Sequence, residues 1–289
     1  MQKFWGFVVF LLLSFFSIAQ SDEIPVILIH KSNSDYLQHS LWQARQYNQR
    51  VLLLGDESNV GQTDAEHHMI SDYHEEAEGF AKIYKHKSTN GYQYELFCFQ
   101  RWFILKKFME VNDLQRVFYC DSDVMLYCNV SEEYGNYSNC DLALFHWSGA
   151  ASGHCSYFSI DQIRSFCEYQ TYFYLNFEDY ENKYPHISDM FVFKAYIIER
   201  GISTCDLETP INNTAFDPII VSGAGPGYQM RDGMKDIQWE NNQPHCYNQK
   251  IEKTIRFKGL HFQGRAKQYM KYNRRENPSN VCVHAMVST

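Results

Sequence analysis

The sequence lacks the signals of several common protein classes. It has no Cys-x-x-Cys pair, which is the spacing typical of structural zinc sites, and no internal repeat or low-complexity linker. The hydrolase patterns Gly-x-Ser-x-Gly and His-Glu-x-x-His are absent, and the glycine-rich run at 222–227 lacks the Lys-Ser/Thr of a phosphate-binding loop. Positive charge is also scarce. With 26 Lys and Arg against 34 Asp and Glu, the net charge is -8, so a nucleic-acid binder is not expected.

The composition that remains is that of a globular chain. Its 289 residues are 45% hydrophobic and 16% aromatic, which suffices for one large domain or two small ones. No shift in composition marks a boundary, so we expect one domain over residues 24–289. Apolar strand-like runs alternate with helical patterns, which predicts an α/β fold with a single, mainly parallel central sheet flanked by helices.

The N-terminus has the features of a secretory signal peptide over residues 1–19. Lys3 supplies a positive end, Phe4 to Ile18 is an uncharged and mostly apolar run, and Ala19 offers a small residue for cleavage. An uncleaved signal anchor is the alternative, although the run is short against the roughly 20 residues that a spanning helix needs. We therefore expect the protein in the secretory lumen (Golgi or endoplasmic reticulum) or secreted, with a membrane contact only if the anchor is kept.

An oxidising lumen changes the interpretation of the nine cysteines. Several should pair, but their connectivity does not follow from sequence. The odd number leaves at least one free, and the strand-like neighbours of Cys120 favour that residue. Three glycosylation sequons, at Asn129, Asn136 and Asn212, agree with a eukaryotic secretory protein.

The most informative segment is Arg116 to Cys120 followed by Asp121-Ser122-Asp123. An apolar strand that ends in two carboxylates is unusual, because burying unpaired carboxylates is costly and calls for a positive partner. Both residues offer the hard oxygen ligands that Mg²⁺ or Mn²⁺ prefers, at the end of a strand where α/β proteins place their sites. Such a metal usually holds a substrate diphosphate. The alternative is a solvated Asx turn.

The remaining pattern predicts the other elements only coarsely. We expect strands at 24–30, 50–54, 116–120, 141–145, 156–160, 217–221 and 254–257, helices at 35–48, 95–111 and 190–200, and loops over 224–249.

The order of these elements resembles the GT-A fold glycosyltransferases, and most of all the glycogenin-like group of retaining enzymes. Four local motifs carry the resemblance: Ser32 to Leu37 after the first strand, Asp121-Ser122-Asp123, Ala151 to His154, and His261 to Lys267, which fits His-x-x-Gly-x-x-Lys. The resemblance implies a GT-A fold and a transferase, in most cases a hexosyltransferase. It also implies a nucleotide-sugar donor, a UDP-sugar above all, with Mn²⁺ or Mg²⁺ as cofactor and a glycan, protein or lipid as acceptor.

The same resemblance implies roles for individual residues near the diphosphate. Asp121, Asp123 and His261 would bind the metal, since a neutral imidazole can join two carboxylates on Mn²⁺. Gly264 and Lys267 would hold the diphosphate, the glycine by close backbone approach and the lysine as a point charge.

The rest of the donor is assigned in the same way. Tyr36 would stack on the base and Asp56 would contact the ribose. Arg101 would lie near the donor, and Ser152 and Gly153 would approach the sugar. A further residue, Asp189, would face the sugar or the acceptor, or would cap a helix instead.

Three departures from the family pattern keep other hypotheses open. Ala151 stands where Asn is expected, Met190 where Gln is expected, and Gln268-Tyr269 where Pro-Trp is expected. A lumenal binding protein that kept the fold and lost turnover is the second hypothesis. A disulfide-rich extracellular domain with Ca²⁺ at the two carboxylates is the third.

Overall fold

The computed structural model describes residues 23–61, 65–222 and 227–278. The predicted signal peptide and Cys282 lie outside these ranges. Within them, no helix is both long enough and apolar enough to cross a membrane.

The strands and helices alternate along most of the chain. The strands are β1 Val26–Ile29, β2 Val51–Gly55, β3 Glu66–Met69, β4 Arg116–Cys120, β5 Val124–Leu126, β6 Leu142–His146, β7 Ala151–Ser159, β8 Thr204–Asp206, β9 Thr214–Phe216, β10 Met230–Arg231, β11 Met234–Lys235, β12 Gln238–Glu240, β13 Gln243–Asn248 and β14 Lys253–His261. The α-helices are α1 Leu37–Arg45, α2 Glu75–Ala81, α3 Tyr92–Val111, α4 Val130–Glu133, α5 Ile160–Leu175, α6 Glu178–Glu181 and α7 Asp189–Arg200. Short 3₁₀ helices cover Glu57–Asn59, Ile70–Tyr73, Tyr134–Asn136 and Gly264–Tyr272.

A seven-stranded sheet forms the centre, in the order β3-β2-β1-β4-β7-β6-β8. Its neighbours are parallel except at β7, which runs antiparallel to both β4 and β6. Alternate residues of β1 enter different cores: Ile27 packs with α3, α5 and α7, while Leu28 packs with α1 on the other face. Helices therefore cover both faces, which explains why β1 and β2 are continuous apolar runs. The predicted α/β fold with a mainly parallel sheet is confirmed.

A second sheet joins two distant parts of the chain. Its order is β12-β13-β14-β5, with β9 also paired to β14. The short strand β5 begins directly after Asp123, and it pairs antiparallel with β14 so that Val124 lies opposite His261. This register places the segment after the first carboxylate motif beside the start of the His261 to Lys267 motif.

Two predicted elements were wrong. Residues 217–221 form no strand. Pro218 cannot donate a backbone hydrogen bond there, and Ile220 N donates to His261 O at 3.0 Å instead. Residues 224–249 are not all loop, because β10 and β11 form a hairpin around Asp232 and Gly233, both with positive φ.

The cysteines are less paired than expected. Cys140 and Cys205 form a disulfide, and the other described cysteines, Cys120 among them, are free. Of the sequon residues, Asn136 and Asn212 are exposed, whereas the side chain of Asn129 accepts hydrogen bonds from the first backbone amides of α4.

Candidate active site

Asp123 and His261 meet because of the β5–β14 register. Phe262 N donates to Asp123 O at 2.9 Å, which holds the two segments together at the end of the strand pair. His261 Nε2 lies 3.3 Å from Asp123 Oδ1. Lys267 Nζ lies 3.1 Å from Asp123 Oδ2, so one buried carboxylate faces two cationic or potentially cationic groups.

Gly264 lets the chain turn so that Lys267 reaches Asp123. Its φ is 60°, a left-handed conformation that side-chain-bearing residues rarely adopt. The chain turns there and enters the 3₁₀ helix Gly264–Tyr272, one turn of which carries Lys267 back towards Asp123. The predicted spacing of His261, Gly264 and Lys267 thus corresponds to a real turn at the edge of the second sheet.

The pKa values at this contact follow from burial and charge. Burial lowers the pKa of His261, but the Asp123 carboxylate outweighs it and raises that pKa to about 8. Burial opposes ionisation of Asp123, yet His261 and Lys267 lower its pKa. The carboxylate is therefore ionised at neutral pH and needs a positive partner.

The orientation of His261 suits a metal ligand. Its Nδ1 donates to Pro218 O at 2.7 Å, so a neutral ring carries its proton on Nδ1 and presents an unprotonated Nε2 to Asp123. Two such acceptors repel unless a proton or a cation lies between them. Their 3.3 Å separation is close to the roughly 3 Å between neighbouring ligands of an octahedral ion with bonds of about 2.1 Å.

Asp121 differs from its predicted environment. Its Oδ1 accepts hydrogen bonds from Arg101 and from the Tyr119 hydroxyl, both at 2.7 Å, rather than facing His261. Across the ranges that the structure describes, no group of three or more His, Cys, Asp or Glu side chains is arranged to share a metal ion. The structure thus brings together two of the three predicted metal ligands and gives the third a protein cation.

Arg101 connects Asp121 to Asp189. Its second guanidinium nitrogen donates to Asp189 Oδ2 at 2.7 Å, and Trp102 Nε1 donates to the same oxygen at 3.2 Å. Burial raises the pKa of Asp189 even though Arg101 acts in the opposite direction. Asp189 also begins α7, and its Oδ1 accepts from Met190 N at 2.8 Å. It is therefore a helix-start residue and a site residue at once.

A cavity of about 520 Å³ unites these groups. Asp121, Asp123, Arg101, Asp189, His261 and Lys267 all line it. Its volume lies within the usual range for small-molecule sites. Asn90, Tyr94 and Trp147 also line it, so two aromatic side chains lie beside the charged groups.

Of the two residues expected to approach the sugar, Ser152 lines the cavity and Gly153 does not. Ser152 lines the cavity, and its hydroxyl shares a 2.7 Å hydrogen bond with Nδ1 of His154. The His154 ring stacks on His261 with centroids 4.2 Å apart. Gly153 is not among the residues that line the cavity; a Cβ there would lie 2.7 Å from Cη2 of Trp102. Glycine is required at this position for packing.

Gly153→Ala should therefore destabilise the fold. Overpacking of this kind costs about 1–3 kcal/mol, because Trp102 and Phe193 close the space and are both buried. Urea denaturation measures the change in free energy of unfolding. Gly149→Ala is the control, since its Cβ would meet nothing within 4 Å; an equal effect of both substitutions would contradict the packing role.

A second cavity of about 620 Å³ lies at the ends of β1 and β2. Asp56 lines it, and its carboxylate accepts hydrogen bonds from the backbone amides of Ser32 and Ser58. Burial opposes ionisation of Asp56, but the hydrogen bond from the Ser58 hydroxyl, together with these two amide bonds, outweighs it and lowers the pKa of Asp56. Tyr36 is not among the lining residues. The ammonium of Lys267 lies 5.1 Å from the centroid of its ring.

Neither the family models nor the curated proteins compared with this chain match it. Among solved structures, the chain is similar to mouse xyloside xylosyltransferase 1 in its apo form, with 9% identity over 66% of this chain and 87% of that chain and a TM-score of 0.49. It is also similar to the galactosyltransferase LgtC in complex with donor and acceptor sugar analogs, with 11% identity over 87% and 95% of the chains and a TM-score of 0.49. A glycosyltransferase involved in the glycosylation of the major capsid of PBCV-1 shares 11% identity over 86% and 99%, with a TM-score of 0.43.

All three of these proteins transfer sugars. With identities of 9–11% and TM-scores below 0.5, however, the similarity does not carry an activity over to this chain.

Sequence reasoning missed several residues that support this geometry. Trp102 fills the space beside Gly153 and binds Asp189, and His30 shares a 2.9 Å hydrogen bond with Ser122 between the two candidate ligands. Lys235 forms a buried ion pair with Asp217 beneath His261. A histidine at the end of β1 was a visible signal; Lys235 offered none, because it lies in a segment expected to be loop.

Proposed function

We propose that this protein is a lumenal glycosyltransferase that transfers a sugar from a nucleotide-sugar donor, a UDP-sugar, to an acceptor with the help of Mn²⁺ or Mg²⁺. One observation carries the proposal. His261 and Lys267 both contact the carboxylate of Asp123. The cavity that these three residues line is also lined by Asp121, Arg101 and Asp189. This combination can hold a cation on one side of a diphosphate and an ammonium group on the other.

The residues of the chain divide the work as follows. Asp123 and His261 would hold the cation, with the free carboxylate oxygen of Asp121 on the same cavity wall. A bound divalent cation supplies charge neutralisation to the departing nucleoside diphosphate. Lys267 adds a point charge for the phosphate, and Gly264 leaves the turn open for close backbone approach. Retention of anomeric configuration is part of the proposal through the family resemblance.

The two cavities suggest how the donor would lie. The nucleoside would occupy the cavity beside Asp56. Tyr36 does not line that cavity and lies next to Lys267, so in this arrangement it would flank the phosphates instead of stacking on the base as the resemblance implied. The sugar would extend past Lys267 towards Arg101 and Asp189, which line the cavity of about 520 Å³. Arg101 would then act chiefly by holding both carboxylates in place.

Removal of the metal tests the proposal directly. Purified protein should bind UDP, and hydrolyse or transfer from at least one of UDP-glucose, UDP-galactose, UDP-xylose and UDP-N-acetylglucosamine, when Mn²⁺ is present. EDTA should abolish both, and Mn²⁺ in excess should restore them. Binding is measured by titration calorimetry and turnover by release of UDP. Metal-dependent binding without turnover would favour a binding protein, and absence of any metal-dependent binding would contradict the proposal.

Tyr94 is the candidate contact for the acceptor. It is 65% exposed although it lines the cavity, and such exposed aromatic faces suit the apolar face of a sugar ring. Tyr94→Ala should lower kcat/KM for transfer to a glycoside acceptor about tenfold, the equivalent of 1.4 kcal/mol, and leave donor hydrolysis unchanged. Tyr92→Ala is the control, because Tyr92 is also exposed but packs on Tyr84 and does not appear in the cavity wall. If Tyr94→Ala lowered donor hydrolysis as much as transfer, Tyr94 would not be an acceptor contact.

A further inference from the structure

Lys235 and Asp217 form an ion pair that is almost completely removed from water. Their side chains are 1% and 0% exposed. Removing two charges from water costs free energy that their attraction often does not recover, and apolar residues of similar volume frequently stabilise a core equally well. Filling space therefore does not by itself explain why this position carries charges.

The pair is tied to the segment that supports His261. Besides its contact with Asp217, the ammonium of Lys235 donates to Ile219 O at 2.9 Å, and Lys235 N donates to Ile220 O at 2.8 Å. Asp217 Oδ2 accepts from His261 N at 3.3 Å, and Ile220 N donates to His261 O at 3.0 Å. Residues 217–220 are thus fastened to Lys235 on one side and to His261 on the other.

Pro218 lies in the middle of this segment. Its carbonyl oxygen accepts the 2.7 Å hydrogen bond from Nδ1 of His261 and so decides which ring nitrogen carries the proton. Proline has no backbone N–H, and residues 217–221 belong to no strand, so no sheet hydrogen bonds hold this carbonyl in place. The neighbours Asp217 and Ile219 must hold it, and both are bound by Lys235.

We propose that the buried Lys235–Asp217 pair is a positioning device for His261. It holds the Pro218 carbonyl so that the neutral imidazole keeps its proton on Nδ1 and presents Nε2 to Asp123. An ammonium group can do this because its three donors reach both Asp217 and Ile219, the residues on either side of Pro218, whereas an apolar side chain fills the same space without directing a carbonyl. The effect on a bound cation rests on the proposed function; the effect on the His261 tautomer does not.

The test variant replaces the pair by apolar residues, Asp217→Leu together with Lys235→Met. Its matched control is Glu133→Leu with Lys258→Met. Like Lys235, Lys258 is a fully buried lysine; it lies on β14, three positions before His261. Its ammonium lies 2.7 Å from the Glu133 carboxylate and 3.1 Å from the Tyr137 hydroxyl. The control thus removes another ion pair of a buried lysine, here on the strand that carries His261, without substituting any of residues 217–220.

The first measurement is Mn²⁺ affinity of the full-length protein by calorimetry, without nucleotide. Loss of an outer-shell partner of a metal-bound histidine typically weakens binding by about 10–100-fold. We expect a loss in this range for the Asp217/Lys235 variant and an unchanged affinity for the Glu133/Lys258 variant. Equal affinities in wild type and test variant, or equal losses in test variant and control, would overturn the proposal.

The second measurement does not depend on a metal. Nitrogen-15 NMR of labelled histidines, recorded at a pH above the His261 pKa of about 8, reports the tautomer of the neutral ring, with His261→Gln to assign its signal. Wild type should show the Nδ1–H tautomer, and the test variant should shift towards Nε2–H. If wild type binds no Mn²⁺, the proposed function fails while the tautomer still decides this inference; an unshifted tautomer overturns it.

Should the apolar double variant fail to fold, Lys235→Arg provides the second test. It keeps the charge and the ion pair, but a planar guanidinium does not reproduce the geometry of an ammonium that contacts both Asp217 and Ile219. We expect a smaller shift of the tautomer in the same direction. A folded Lys235→Arg protein with wild-type tautomer and wild-type Mn²⁺ affinity would overturn the proposal.

Discussion

Asp123→Asn is expected to reduce Mn²⁺-dependent turnover of a UDP-sugar by at least about 100-fold, the usual scale for losing one preorganised electrostatic partner in an active site. Asp123 is the residue on which the site depends, because one oxygen faces His261 and the other faces Lys267. Neutralising it removes the charge that attracts the cation and leaves an imidazole and an ammonium without their common partner. Mn²⁺ affinity by calorimetry and kcat/KM by UDP release should fall together.

His261→Gln should give the same phenotype, since it removes the other group at the 3.3 Å contact. The matched control is His245→Gln. His245 lies on the neighbouring strand β13, and its Nδ1 also shares a hydrogen bond with a backbone carbonyl, that of Gln243, but it does not line the cavity. If Asp123→Asn and His261→Gln both leave metal-dependent UDP-sugar binding intact, the proposed site is wrong. If His245→Gln is equally damaging, the effect is structural.

Arg101→Met is expected to destabilise the folded protein by about 3–5 kcal/mol, because it leaves the carboxylates of Asp121 and Asp189 without their shared cation. The Asp189 side chain is only 6% exposed, so water cannot replace its lost contact, whereas water reaches Asp121, which is 26% exposed, in part. Chemical denaturation gives the change in free energy of unfolding. Arg101→Lys should recover only part of it, since a single ammonium cannot make the two separate bonds of the guanidinium.

Arg164→Met provides the contrast for this prediction. Arg164 also pairs with a carboxylate at 2.7 Å, that of Glu110, but it is 46% exposed, so water can replace this contact and its loss should change the free energy of unfolding far less. A small effect at Arg101, comparable to that at Arg164, would mean that Asp121 and Asp189 rearrange or become protonated. The ion pairs of Arg101 with Asp121 and Asp189 would then not be what keeps these two carboxylates in position.

Local sequence patterns were sufficient for the elements that carry continuous or helically spaced apolar residues. Strand β4 has the predicted bounds Arg116–Cys120, and α3 and α7 begin within a few residues of their predicted starts. Both faces of β4 are apolar because helices cover both faces of the sheet, so its limits are visible in the sequence. Strand β3 and the hairpin β10–β11 were missed, because short, polar edge strands depend on hydrogen bonding to neighbours rather than on an apolar pattern.

The candidate site divides in the same way. The sequence alone determined which chemical groups are available: two carboxylates after β4, and a histidine, glycine and lysine at the required spacing near the C-terminus. Whether they meet was decided by the register of β5 against β14, which pairs Val124 with His261. Register is a long-range property, since it depends on partners far away in the chain, and no local pattern encodes it.

The tertiary structure also decided the partner of each group. Asp123 faces His261 and Lys267, whereas Asp121, two residues away, turns to Arg101 on α3. Strand alternation would place residues 121 and 123 on one face, but the chain turns here between β4 and β5, and Val124 N donates to Asp121 O at 3.0 Å. Because of this turn, two carboxylates that look equivalent in sequence enter different environments. Lys235, from a segment expected to be loop, lies beneath them with Asp217, and a buried pair of that kind exists only once the chain has folded around it.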